Sequence, residues 1–384
     1  MATAELRAAT APLPAAAVAS GRIHQLDGLR GLLALFVVCC HLSFALLSLR
    51  AVFAVWVPFL EVGWWYPVDV FFIMSGFVML HVYGDTFAGG TSAGSWLAFM
   101  KVRVARLYPV HLAVMLLLLV CVFNLLRAVP AMAADGGVYS WRGFFAALFM
   151  LHSPWMEHRS WNYPSWSISA EWHAYVIFPF LVPLFRRMAR GSALALVVIG
   201  ALVPLAVYLQ NLQPEQYPTN GLIVLTRVLP LFMCGMALYV LRKDGLGVPR
   251  WLAVLSALGT LLCLCLAEAA PFAVLLAPLF VYAVLQDRMV GGWFCWPPFL
   301  WLGKISYSLY MTHALIDIFF LRTVNKLAGG WLGAGWQHNV AAAFAFWLLA
   351  MALALVLGWA TWRWIEVPCR QLILKRRAPA ATVF

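Results

Sequence analysis

The chain is short of charge. Only 10% of its 384 residues are Asp, Glu, Lys or Arg, and only 14 are acidic. A soluble domain of this size carries roughly 25% charged residues, so a large water-exposed globule is excluded. A cysteine framework is missing too. Of the eight cysteines, Cys39, Cys40, Cys121, Cys234, Cys263 and Cys265 lie inside apolar runs, and no pair brackets an exposed loop. That excludes a secreted disulfide scaffold and leaves no closed metal-ligand spacing. The N-terminal tail, with Pro12 and Pro14 among alanines, has no apolar core of a cleavable signal peptide, so the first apolar run is expected to direct insertion. No duplicated pattern relates the two halves, which counts against an inverted-repeat transporter.

What is present is apolar. Hydrophobic residues make up 64% of the chain, against roughly 45–50% in soluble proteins. The chain therefore reads as an integral membrane protein. A net charge of +12 would suggest nucleic acid if the basic residues formed one patch. They instead form short clusters between apolar runs, as the positive-inside rule requires, so no nucleic-acid partner is expected. A crossing needs about 20 apolar residues. By that measure the spans fall near 30–49, 67–83, 108–128, 166–185, 191–209, 221–241, 251–268, 271–286, 303–321 and 340–361. The piece at 143–152 is too short and reads as re-entrant or interfacial. With the N-terminus inside, nineteen of the 26 Lys and Arg residues fall inside, six outside, and Arg227 within a span. The expected fold class is all-α: a polytopic membrane protein of about ten transmembrane helices with both termini cytoplasmic. Residues 1–22 form a flexible tail, 23–370 the membrane core and 371–384 a basic cytoplasmic tail, with no appended soluble domain.

Ionisable groups inside a membrane are costly unless they face a cavity or a partner, so each is a functional candidate. Arg30 and His41 are eleven residues apart, close to three helical turns, which puts both on one face with His41 ~16 Å deeper. A cation at the cytoplasmic entrance below a midplane imidazole suits an anionic cofactor threading in, although a snorkelling Arg and a hydrogen-bonded structural His would look the same. Ser306, Tyr310, His313 and Asp317 form one helical stripe, with His313 ~14 Å above Lys304; helix-packing contacts are the plainer explanation. Glu171 opens the fourth span, ~8 Å below the outer surface. Asp69 opens the second, with Ser75 and Gly76 deeper, and Glu366 closes the tenth. For Asp69 and Glu366 an interfacial salt bridge is as good a reading as chemistry. Arg227 pairs with Glu171 or meets a ligand. Lys101, Arg103 and Arg106 precede the third span and suit phosphate or anionic lipid.

Taken together these motifs resemble the acyltransferase 3 family, membrane O-acyltransferases found mainly in bacteria. Leu26-Asp27-Gly28-Leu29-Arg30-Gly31 with His41 is similar to its first-span motif, and Val68 through Phe77 to its second. Arg103 and Arg106 match its Arg-x-x-Arg loop, and Trp166-Ser167-Ile168-Ser169-Ala170-Glu171 its Trp-Ser-Leu-Ser-x-Glu. Arg227 through Gly235, Ile305 through Tyr310 with His313, and Glu366 with Pro368 complete a series that covers roughly residues 22–370. Pro67 stands where a glycine is common, and Trp172-His173 replaces a frequent Glu-Gln, so only Glu171 is carried over. The longer members' hydrolase-like extracytoplasmic domain does not follow the core. The resemblance implies a ten-span core, a cytoplasmic acyl-CoA donor, an outer acceptor hydroxyl, and essential roles for Arg30 and His41.

The expected function is thus transfer of an acyl group, by default acetyl from acetyl-CoA, to a sugar hydroxyl of a surface or exported polysaccharide at the bacterial cytoplasmic (inner) membrane. His41, Glu171, Arg30 and His313 are the catalytic candidates. Arg30, Arg103, Arg106 and Lys101 are the candidates for the donor, and Asp69, Ser75, Arg227, Tyr307 and Tyr310 for substrate. No metal and no permanently bound cofactor are expected; the lipid bilayer is a partner, and glycan-synthesis or export proteins are candidates. An antibiotic or lipid-linked sugar is the alternative acceptor. A proton-coupled transporter and a non-catalytic subunit of a glycan-export complex are the alternatives of another class. The 19 tryptophans permit stacking on sugars and fit interfacial belts equally well.

Overall fold

A computed structural model describes residues 23–128, 137–157, 161–211, 217–333 and 336–375. The expected N-terminal tail, most of the basic C-terminal tail and Arg159 lie outside the described residues. Among the described residues all regular elements are helices, as a chain immersed in hydrocarbon requires, because each backbone N–H and C=O must then be satisfied within its own segment.

In chain order the helices are α1 (His24–Phe44), α2 (Leu47–Trp56), α3 (Pro58–Val62), α4 (Tyr66–Tyr83), α5 (Ala93–Ala128), α6 (Trp141–Leu148), α7 (His152–Trp155), α8 (Trp166–Arg186) and α9 (Arg190–Gln210). They continue with α10 (Leu225–Lys243), α11 (Arg250–Cys265), α12 (Ala273–Gln286), α13 (Arg288–Phe294), α14 (Pro297–Leu315), α15 (Arg322–Leu332), α16 (Val340–Thr361) and α17 (Val367–Leu374). Seven, α1, α4, α5, α8, α9, α10 and α16, are long and apolar enough to cross a membrane. The expected spans at 251–268 and 271–286 fall on the shorter apolar helices α11 and α12. The expected span at 303–321 falls on α14, whose Lys304, Ser306, Ser308, Thr312 and His313 dilute its apolar character. The first span is displaced: α1 starts at His24 and ends at Phe44, and the chain turns into α2. The segment at 143–152 is two short helices, α6 and α7, joined through Met150 at φ 55°.

Two crossings at the centre depend on glycine. A Cβ on Gly31 would lie 2.4 Å from the Gly303 nitrogen, and one on Gly303 2.3 Å from the Asp27 oxygen. At the α4–α10 crossing, a Cβ on Gly76 would lie 1.8 Å from the Phe232 oxygen, and one on Gly235 1.9 Å from the Ile73 oxygen. Lipid offers no hydrophobic force between helices, so association relies on this close backbone approach. The glycines of three of the sequence motifs are thus the contacts that bring α1 onto α14 and α4 onto α10.

The α-helical stripe expected through Asp317 is broken. After Leu315 the chain widens into a π-helical turn, Ile316–Leu321, in which Asp317 is ion-paired with Arg322 at 3.2 Å. A second π turn, Trp362–Glu366, precedes α17 and delivers Glu366 into the interior.

Candidate active site

The α1–α14 crossing carries two polar rungs. Near one end the Arg30 guanidinium donates to Ser306 Oγ at 3.1 Å and to the Gly303 carbonyl at 3.2 Å, and it pairs with Asp27 at 3.4 Å. Nearly three turns further, the His41 and His313 rings stack with centroids 5.1 Å apart and planes 23° apart. The predicted shared face of Arg30 and His41 is therefore the face that α1 lays on α14. His313 is fully buried. Its Nδ1 lies 2.7 Å from the Tyr310 carbonyl, which only accepts, so Nδ1 carries the proton and Nε2 is left with its lone pair. That Nε2 has no hydrogen-bond partner among the described residues.

A cavity with about 1370 Å³ of free space, its open mouth included, runs beside the Arg30 rung. Ile23, Asp27, Arg30, Arg103 and Arg106 line it, as do Ser75, Glu171, Tyr307 and, furthest along α14, Tyr310. His41 and His313 do not line it. Tyr310 stands between: its ring is 5.8 Å from the His313 ring, and its hydroxyl meets Ser167 Oγ at 2.9 Å.

The structure brings some of the expected site residues here and takes others elsewhere. Arg30, Glu171, Ser75, Tyr307 and Tyr310 share the cavity. Glu171 is hydrogen-bonded to Ser75 and Tyr175, not set against His41. Ser75 Oγ also meets the Tyr175 hydroxyl at 3.0 Å, and the Tyr307 hydroxyl donates to the Leu107 carbonyl at 2.5 Å.

The arginine pair expected to clamp phosphate is engaged within the protein. Arg106 is ion-paired with Glu366, which also accepts from Ser308 at 2.6 Å. Arg103 donates to the Tyr83 hydroxyl at 2.8 Å and lies over the rings of Tyr83, Phe99 and Tyr175. Lys101 is exposed and away from the cavity lining. The same holds for two substrate candidates. Asp69 and Arg227 form one fully buried ion pair at 2.7 Å. Arg227 does not reach Glu171, and neither residue lines the cavity.

The sequence reading missed the surroundings of His41. Its ring is met edge-on by Phe44 at 5.7 Å and Trp64 at 5.8 Å, and by Tyr163 at 5.4 Å. Trp64 lies in the turn before α4, and Tyr163 in a 3₁₀ turn before α8. The only signal was position: Tyr163 lies three residues before the Trp166–Glu171 motif. Among the described residues no group of three or more His, Cys, Asp or Glu side chains is placed to hold a metal.

Comparison with known proteins places the chain in a family. Residues 23–363 match the acyltransferase 3 family, described as an acyltransferase domain. The chain is 27% identical to Acyltransferase MdmB of Streptomyces mycarofaciens, over 94% of this chain and 95% of that protein. It is 25% identical to peptidoglycan O-acetyltransferase OatA of Listeria monocytogenes, over 91% of this chain and 56% of that protein. A 109-residue stretch, 27% of this chain, is 36% identical to Protein 2 in picA locus of Rhizobium radiobacter and covers 49% of it. No solved structure matches the chain.

Proposed function

The chain belongs to the acyltransferase 3 family, and on that premise we propose that this membrane O-acyltransferase moves an acetyl group from cytoplasmic acetyl-CoA to a sugar hydroxyl of a surface or exported polysaccharide. The proposed setting is the bacterial cytoplasmic membrane, crossed ten times with both termini inside. The observation that carries this reading is the cavity that starts at Arg30 and stops at Tyr310, one ring away from the stacked histidines.

The cavity wall is largely apolar, with Phe71, Phe72, Val78 and Val82 among its side chains, which suits the narrow pantetheine arm of CoA. In this reading Arg30, which lines the cavity and keeps 27% of its side chain exposed, is the guanidinium that meets the CoA phosphates. Arg103 and Arg106, tied to their own partners, brace the wall. Glu171, Ser75 and Tyr175 supply hydrogen-bonding groups for the amides of the arm.

For the chemistry, a base takes the hydroxyl proton as the acceptor oxygen attacks the thioester carbon. The C–O bond forms, the C–S bond breaks, and the proton passes to the departing CoA thiolate. His41 is the base in this scheme. His313, tautomerically fixed by the Tyr310 carbonyl, offers its Nε2 lone pair beside His41 and steadies the ring once charged. Asp69 and Arg227 take no part in the step.

The test is mass spectrometry of surface and exported glycans from a deletion strain, the restored strain, and a strain restored with a His41→Ala variant shown to insert normally. Loss of an acetyl increment in the first and third, with recovery in the second, is expected. Identical glycans in all three would rule out the polysaccharide acceptor. Acyl-CoA consumption by the protein in vesicles would then separate another acceptor from a transport role, which consumes none.

A further inference from the structure

His41 has two sides. On the Arg30 side lies the donor cavity. On the other side, at the C-terminal end of α1, is a group of half-buried side chains that the mechanism above does not use. Phe44 and Trp64 meet each other at 6.1 Å with planes 87° apart, and both meet the His41 ring edge-on. Tyr163 covers a further side of His41 and also touches His313 at 5.7 Å. Behind this aromatic wall Arg50 stands over the Phe44 ring at 5.1 Å and is ion-paired with Glu61. The four elements that supply these residues are the end of α1, α2, α3 with its following turn, and the 3₁₀ turn before α8. None of the five residues lines the donor cavity.

We propose that Phe44, Arg50, Glu61, Trp64 and Tyr163 form the acceptor subsite, built for a neutral polyhydroxylated ligand, a sugar ring laid on aromatic faces with one hydroxyl held at His41. The proposal rests on the acyltransferase reading and specifies its acceptor. Three observations carry it. First, the wall combines flat apolar rings with a polar tip, the composition that binds the C–H face of a sugar while its hydroxyls turn to hydrogen-bonding groups. Second, Glu61 Oε2 is buried and has no hydrogen-bond partner among the described residues. A buried carboxylate oxygen of this kind calls for a donor, and a ligand hydroxyl is one. Third, the charge of Arg50 is already cancelled by Glu61, so an anionic acceptor gains no free cation and meets a carboxylate. At the rim of the subsite Arg50 keeps 39% of its side chain exposed and Glu61 16%.

The test uses the full-length protein reconstituted in vesicles with acetyl-CoA. Maltotriose and chitotriose serve as neutral probes, and a galacturonate trimer as the anionic one. Acetyl-CoA consumption is followed with and without each probe. The neutral sugars are expected to stimulate consumption and to become acetylated, and the uronate to do neither. Trp64→Ala and Glu61→Gln are each expected to raise the KM for the neutral probe about tenfold, the loss of roughly one good contact. The KM for acetyl-CoA should stay within about twofold, and Trp64→Phe, which keeps a ring, should recover most of the affinity.

Stimulation by the uronate alone, or by no sugar while acceptor-free consumption persists, overturns the subsite. An equal rise in both KM values, or no rise in either, overturns it as well. Absence of any acetyl-CoA consumption by the wild-type protein places the failure in the donor reading instead.

Discussion

The Asp69–Arg227 pair lends itself to a decisive perturbation, because a substrate site and a structural latch predict opposite outcomes. Arg227 donates to Asp69 Oδ1 at 2.7 Å, to the Pro218 carbonyl at 3.1 Å and to the Trp65 carbonyl at 3.2 Å. It also lies over the rings of Trp166 and Tyr208, 5.0 and 5.5 Å away. Asp69 accepts one more bond, from the Tyr208 hydroxyl at 2.5 Å. Arg227→Ala removes every partner of Asp69 except that tyrosine and leaves a buried carboxylate behind. Breaking a buried pair from one side costs about 3–5 kcal/mol, and Asp69→Asn should cost a similar amount from the other. The double replacement Asp69→Leu with Arg227→Met removes both charges. It still strands two carbonyls, so its cost should resemble one single variant, about 3–5 kcal/mol, and not the sum of two. The assay is heat-induced loss of the monodisperse peak in detergent. Each single variant should melt on the order of 5–10 °C lower. Single variants that melt with the wild type yet lose transfer would refute the latch and return the pair to substrate binding.

Three further outcomes follow from other parts of the structure. Gly31→Ala should sharply cut the yield of folded protein, since its Cβ would meet the Gly303 nitrogen at 2.4 Å, whereas Gly292→Ala, with nothing within 4 Å, should leave size-exclusion profiles unchanged. His313→Ala should lower kcat by roughly 10²–10⁴ and, by emptying a fully buried position, also lower the melting temperature; the His41→Ala, His313→Ala double variant should have a kcat little worse than His41→Ala alone, as for groups acting as a unit, and a full multiplicative loss would show that they act separately. Asp287, in the loop before α13, accepts from Arg250 at 3.0 Å and from the backbone N–H groups of Met289 and Val290. The hydrogen bond from Arg250, with those from the backbone, holds its carboxyl below the usual carboxylate range. A depressed folded pKa gives stability that is present above the unfolded value, about 4, and lost as pH falls through the folded one. Asp287→Ala should therefore lower the melting temperature at pH 7, and the gap to wild type should close below pH 4.

Much of this arrangement was legible in the sequence, for reasons that can be named. Apolar runs bounded by basic clusters marked the helices, because a backbone in lipid has no alternative. The eleven-residue spacing of Arg30 and His41 identified one face of α1, since a straight helix preserves register over three turns. The same logic failed at Asp317, where a π turn begins one residue earlier and no periodicity announces it. It allowed salt bridges but did not name the right partners. Glu366, the partner of Arg106, is 260 residues away, and Asp69 and Arg227 are 158 apart. For Asp69 and Glu366 a salt bridge and a chemical role stood equally open, and Arg227 was offered Glu171 or a ligand, because the sequence shows charges one at a time. Tyr163 and Trp64 were invisible for a related reason: a turn residue owes its position to the elements it joins, and here those deliver it to His41.

The division between the cavity and the histidines bears directly on mechanism. A donor lying in the cavity meets Tyr310 before it meets His313, so transfer in the proposed scheme needs that ring to move aside. The movement gives up one hydrogen bond and the packing of a buried ring against Phe71 and His313. The Tyr310 hydroxyl has the Ser167 contact at 2.9 Å, worth a net of about 1 kcal/mol, and the Tyr310 carbonyl that fixes His313 belongs to the backbone and stays in place when the side chain rotates. The α1–α14 crossing, by contrast, is pinned by glycine contacts that leave no room to slide. Motion is thus confined to one side chain while the histidine stack keeps its geometry. In the proposed scheme a closed Tyr310 would also have a use: it would keep the thioester away from a base able to hand it to water until an acceptor stands on the other side of His41.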